Sequence, residues 1–199
     1  MFDGAIWFIM VSVDHKKAGE KMKPLLKDKR VNRRIAYESS FLTVYEDDVL
    51  LPNHKPSKRV VVAHIGAAAV LPIMDNGDVV LIRQHRYAAG VDSYEMPAGK
   101  KDAYDEDPLV CAKRELLEET GYEGATFSYL TTIHSAIGFS DETIALYRAE
   151  GLKKKAGDMP VDEEEFLEVV TVSFEKALAL VENGTITDAK TIVALLWLR

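Results

Sequence analysis

The stretch GKKDAYDEDPLVCAKRELLEETGY, Gly99 to Tyr122, decides how this 199-residue chain is read. Asp107-Pro108 has the form of an N-cap followed by proline at the first helical position, and Gly121 stands where a left-handed glycine closes a helix. The spacing therefore predicts a helix over Pro108 to Thr120. At about 100° per residue, with Glu115 at zero, Glu119 lies at about 40° and Glu118 at about 300°, while Ala112, Leu116 and Leu109 fall between about 60° and 120°. An apolar stripe is flanked by a fan of carboxylates near the C-terminal end of the helix, where the helix dipole disfavours negative charge. Like charges four apart also repel by about 0.2–0.5 kcal/mol. A hard divalent cation bound by oxygen ligands offsets both costs, and Arg114 is placed to brace one carboxylate by an ion pair.

Working outward, 47% hydrophobic and 29% charged residues suit a folded domain with a full core. The net charge of -7 and pI near 5.3 leave no broad basic field for nucleic-acid phosphates. An acidic protein that handles phosphates needs cations to mediate the contact. The single cysteine, Cys111, excludes an intramolecular disulfide and a thiolate zinc set, and points to a cytoplasmic location. The apolar run AIWFIMVSV, Ala5 to Val13, is nine residues long and too short to span a bilayer, so no membrane partner is expected. It reads as a buried or paired strand.

Asp14 to Arg34 is basic and broken by Pro24, the pattern of a solvated, partly helical linker. From Ser40 to Met74 an alternating and then apolar pattern, with Pro52, Asn53, Pro56 and Ser57 as turn residues, predicts a hairpin. Asn76-Gly77 between two apolar runs predicts a second. ATFSYLTTIHSA, ETIALYRAEGL and EEFLEVVTVSF read as strands, and EKALALVEN and DAKTIVALLWL as short helices. The order predicts an α+β fold with a sheet sandwiched by helices. His64 and His134 read as core histidines, and Met96 and Trp197 as core. Arg83 and Arg86, at the end of an apolar strand, are candidates to grip phosphate or a terminal ribose. Phe139 and Tyr45 are candidates to stack on a base.

Gly99, Glu106, Arg114, Glu115, Leu116, Glu118, Glu119, Gly121 and Tyr122 together resemble the signature box of the Nudix hydrolases. Two departures stand out: six residues rather than the usual five separate Gly99 from Glu106, and Asp105 stands where a glycine is common. Tyr122 replaces an aliphatic residue. Residues 67–100, 134–152, 163–170 and 188–198 extend the resemblance to the ADP-ribose pyrophosphatase branch, so that it covers roughly Phe41 to Arg199.

The resemblance implies a Nudix fold, a mixed β-sheet sandwiched between helices, in residues 58–199, preceded by an N-terminal extension and antiparallel strand subdomain in residues 1–57. It implies hydrolysis of the pyrophosphate bond of ADP-ribose to AMP and ribose 5-phosphate, with Mg²⁺ as cofactor and Mn²⁺ as substitute. Glu115, Glu118, Glu119 and the Ala98 carbonyl are then the metal ligands, and Arg114 and Glu106 belong to the catalytic set. Glu165 or Glu163, in an acidic loop that also holds Glu164, is the base. Ser140, Asp141 and Glu142 resemble a ribose- and phosphate-contacting loop, with Phe139 beside them. The branch forms homodimers through crossing N-terminal strands. The competing readings are hydrolysis of another nucleoside diphosphate sugar, such as GDP-mannose, and a non-catalytic ADP-ribose sensor.

Overall fold

The computed structural model describes residues 26–124, 126–155 and 166–199. Three strands come first: β1 (Lys29–Glu38), β2 (Leu42–Leu50) and β3 (Pro56–His64) form an antiparallel sheet in the order β1-β2-β3. The β2–β3 hairpin is the one expected from the turn residues, with Leu50 opposite Pro56 and Leu42 opposite His64. The basic segment expected to be a partly helical linker is corrected at its end, because Lys29 to Arg34 lie in β1. Arg33 there forms a two-pronged pair with buried Asp47, at 2.6 and 2.7 Å, and Arg34 binds Glu46, so basic side chains find acidic partners across a ladder. The sheet continues to His64, so the boundary drawn at residue 57 falls inside β3.

Next come β4 (Ala67–Pro72), β5 (Val79–Arg86), β6 (Val91–Glu95), β7 (Ala98–Lys100), α1 (Pro108–Thr120), β8 (Tyr122–Glu123), β9 (Thr126–His134), β10 (Thr143–Glu150), β11 (Lys153–Lys154), β12 (Leu167–Val172), α2 (Phe174–Glu182) and α3 (Ala189–Trp197). One sheet has the order β7-β4-β10-β9, another β12-β5-β6, and β11 pairs with β8. The β4–β10 pair is parallel, which makes the first of these sheets mixed.

Alternation along β4 organises the core. Ala68 and Val70 face α1, where they meet Cys111, Ala112 and Leu116. Ala69 and Leu71 face the other way, onto a cluster with Leu81, Met96, Leu146 and the α2 and α3 residues Ala177, Ala194 and Leu195. The sheet is thus sandwiched between α1 on one side and α2 with α3 on the other, as expected. Among the described residues, buried hydrophobics with no exposed surface, Val79 to Ile82 among them, show how completely this centre is closed.

Three expectations are corrected. Asn76-Gly77 does make a turn, closed by Met74 N–H to Asp78 O at 2.8 Å with Gly77 at φ 86°, but β4 and β5 do not form a hairpin. They touch through an isolated Ile73–Val79 bridge and enter different sheets, because both strands are apolar runs to be buried on two faces. Trp197 is 59% exposed rather than core, since it closes the last turn of α3 beyond the packed stripe. His134 is also exposed, at the end of β9, whereas Met96 is fully buried and His64 is largely covered, with Nδ1 accepting from Gly66 N–H. Among the described residues no helix is long and apolar enough to cross a membrane.

Candidate active and metal site

Helix α1 carries the site, and its ends are fixed locally. Asp107 caps the N-terminus by accepting from Leu109 N–H at 2.9 Å, with Pro108 next, and Gly121 closes the other end at φ 72° with its N–H on Leu117 O. The fan of carboxylates splits once the sheet is packed against it. Glu115 and Glu119, 9% and 7% exposed, turn inward, while Glu118 is exposed.

The inward carboxylates meet the segment Ala98–Gly99. Glu119 Oε2 accepts from Ala98 N–H at 2.9 Å. Glu115 lies so close to Gly99 that an added Cβ there would stand 2.1 Å from Oε1, so the absence of a side chain at residue 99 is what makes room for the carboxylate.

Arg114 gathers the remaining acids. Its Nη1 donates to Glu115 Oε1 at 2.6 Å and to Glu118 Oε2 at 3.2 Å, and Nη2 donates to the Lys100 carbonyl at 3.1 Å. Asp102 and Glu106 stand 3.4 and 3.9 Å away. Burial opposes the guanidinium's charge, but Glu115 and its neighbours outweigh this and raise its pKa above the ordinary value. Glu106 also accepts from Asp102 N–H at 2.6 Å, folding the longer loop back onto itself. On the sheet-facing side of the helix, burial and the nearby Glu115 charge push the Cys111 thiol up to about 12, so it is an inert packing group.

A second cluster, missed in the sequence, adjoins this one. Glu95, 2% exposed, accepts two bonds from Arg86, at 2.7 and 2.6 Å, and another from Lys190 Nζ. Burial favours its protonated form, yet Arg86 and Lys190 prevail and hold its pKa at about 2. Arg86 carries a raised pKa, chiefly from its bonds to Glu95, with the Glu119 and Asp188 charges adding to it. Arg86, Ser93, Glu95, Asp188 and Lys190 line an open cavity of about 400 Å³. The available signals were a glutamate inside the apolar SYEMPAG segment and a lysine in an apolar helix.

Arg83 and Arg86 are not brought together. Three apart in β5, they project to opposite faces of the sheet and take two separate positions. Arg83 binds Asp92 at 2.8 Å and Glu168 at 3.5 Å. The loop after β9 is stitched to β3: Ser140 Oγ donates to Val62 O, Asp141 Oδ1 accepts from His64 N–H, and Glu142 accepts from Ser135 Oγ. Phe139 is 58% exposed beside them, and Tyr45 lies under the Arg33 guanidinium at 4.3 Å. Glu163, Glu164 and Glu165 lie outside the described residues, as does the run Ala5 to Val13.

The donors facing the site are acidic oxygens, which fit a hard divalent cation and not a thiolate- or imidazole-seeking metal. Among the described residues no three His, Cys, Asp or Glu side chains converge on one point; Arg114 engages Glu115, and the Ala98 N–H engages Glu119.

The NUDIX domain family matches residues 63–195. The chain is 38% identical over 174 residues to an ADP-ribose pyrophosphatase of Bacillus subtilis strain 168, covering 87% of this chain and 94% of that one. It is 37% identical over 178 residues to a methanol dehydrogenase activator of Bacillus methanolicus, covering 89% and 96%. A crystal structure of an ADP compounds hydrolase superimposes with a TM-score of 0.76 at 22% identity, covering 89% of this chain and 95% of that one, a likeness of fold.

Proposed function

The chain belongs to the Nudix family, whose members typically use a divalent metal and act on nucleoside diphosphate derivatives, and from that footing we propose that it hydrolyses the pyrophosphate bond of ADP-ribose, releasing AMP and ribose 5-phosphate, with Mg²⁺ as its cation. The observation that carries this reading is the inward pair Glu115 and Glu119, set one helical turn apart against Ala98 and Gly99. The relative named for ADP-ribose hydrolysis supports the choice of substrate.

Glu115 and Glu119 are the residues to hold the cation, joined by Glu118 and the Ala98 carbonyl. When bound, it neutralises pyrophosphate charge and acidifies a water. Arg114 holds Glu115 and Glu118 in place beforehand, and Glu106 steadies both the guanidinium and the loop. Arg86, whose side chain is held by Glu95 and lines the cavity, binds phosphate. Glu165, or else Glu163, takes the water's proton. Support for that placement comes from β12, which begins two residues after Glu165 and packs against β5 and α1. Phe139, Ser140, Asp141 and Glu142 form one wall of the substrate site. The active form is a cytoplasmic homodimer: β1 leaves Val31, Ile35 and Tyr37 exposed on an edge strand, which a second copy covers.

The test is a Mg²⁺-dependent hydrolysis panel of ADP-ribose, GDP-mannose, NADH and diadenosine polyphosphates. ADP-ribose gives the highest kcat/KM, with AMP as product. Preference for GDP-mannose would move the substrate, and tight binding of ADP-ribose without products would identify a sensor.

A further inference from the structure

The start of α3 touches both halves of the site through buried polar groups. Thr191, fully buried, accepts from the Met96 N–H at 2.7 Å and donates to Asp188 Oδ2 at 2.6 Å, and the same Asp188 oxygen accepts the Thr191 N–H at 3.0 Å. Met96 is two residues before Ala98, whose N–H meets Glu119. In parallel, Lys190 Nζ bridges Asp188 Oδ1, at 3.0 Å, and Glu95 Oε2, and Glu95 holds the Arg86 fork. Each polar atom named here has a partner, which is the condition under which such groups are tolerated in an interior. Stability alone is served as well by apolar packing, since replacing a buried ion pair with hydrophobic side chains is often neutral or stabilising.

We propose that Thr191 and Lys190 are positioning residues for the hydrolytic site: Thr191, oriented by Asp188, fixes the Met96–Ala98 backbone against Glu119, and Lys190 shares the Glu95 carboxylate so that Arg86 stays available to phosphate. The substrate in this statement rests on the proposed function, whereas the Thr191 arm does not depend on which diphosphate is cut. Without Lys190, Glu95 is left to Arg86 alone, which draws the guanidinium more firmly onto the carboxylate. Without the Thr191 hydroxyl, Met96 N–H loses its buried acceptor and the segment that orients Glu119 is released.

Thr191→Val, Thr191→Ser, Lys190→Met and Lys190→Arg are compared with the intact chain by melting temperature, Mn²⁺ titration and ADP-ribose kinetics. Thr191→Val weakens Mn²⁺ binding and lowers kcat by roughly tenfold, with KM little changed, and Thr191→Ser restores both. Lys190→Met raises KM by roughly tenfold with kcat and Mn²⁺ affinity little changed, and Lys190→Arg recovers part of the loss. Unaltered Mn²⁺ affinity in Thr191→Val, or equal losses in Val and Ser variants that follow melting temperature, overturns the Thr191 arm. An unaltered KM in Lys190→Met overturns the other. A wild-type chain inactive on ADP-ribose, with Mn²⁺ binding still weakened in Thr191→Val, overturns the substrate and supports the Thr191 clamp.

Discussion

Glu115 occupies the space that a side chain at Gly99 would take: a Cβ there stands 2.1 Å from Oε1 and 2.2 Å from the carboxyl carbon. Gly99 does not have a positive φ, so alanine costs nothing in backbone strain. The clash is relieved by swinging the end of a flexible side chain. Gly99→Ala therefore leaves stability within about 1 kcal/mol of wild type and lowers kcat roughly 10- to 100-fold by displacing the carboxylate. Chemical unfolding and steady-state kinetics on one preparation read both effects, and full activity would remove Glu115 from the site. Glu119→Gln is the companion test, with an expected kcat loss of about a hundredfold or more and an intact fold.

The assignment of the base separates by substitution. Glu165→Gln lowers kcat with little change in Mg²⁺ dependence, because a base acts on the water and not on the cation. If Glu163→Gln alone is impaired, the role moves to Glu163.

Acid stability reports on the buried pair. The ordinary value for Glu95 is 4.5 and its folded value is about 2, so the folded state binds its proton less readily than the unfolded chain does. The stabilisation is fully present above about 4.5 and is lost as pH falls toward and through about 2. Glu95→Gln destabilises by about 3 kcal/mol at neutral pH, and the gap from wild type narrows across that acid window. Urea unfolding at several pH values measures it; a gap independent of pH contradicts the pairing.

Charge on the exposed edge tests the dimer. Ile35→Asp places a carboxylate on β1, where Ile35 is 55% exposed, and gives a monomer of reduced activity by sedimentation and kinetics. A fully active monomer ends that proposal.

The sequence made α1 legible because its determinants are local: Asp107, Pro108 and Gly121 act within a turn of the residues they fix, and the helix bounds follow from them. The same holds for the β2–β3 hairpin. The division of the three glutamates was not legible, since only the sheet packed against α1 decides that Glu119 turns in and Glu118 out. Nor was the Glu95–Lys190 pair, whose members are 95 residues apart. Arg83 and Arg86 were legible as residues at the end of a strand, whose two-residue period sets them on opposite faces. Asn76-Gly77 gave its turn but not its ladder, because the destination of each strand is settled by burial and not by the turn between them.

The loop from Lys101 to Glu106 folds back on itself, with Glu106 accepting from Asp102 N–H, and α1 then starts at its own cap and ends at its own glycine. The bounds of the helix are thus set apart from the length of the loop, whereas Asp102 and Glu106 tie the loop to Arg114. A fluorophore-bearing insert between Ala103 and Asp105 therefore acts as a tether on the guanidinium that braces Glu115, and its signal and the enzyme's rate change together.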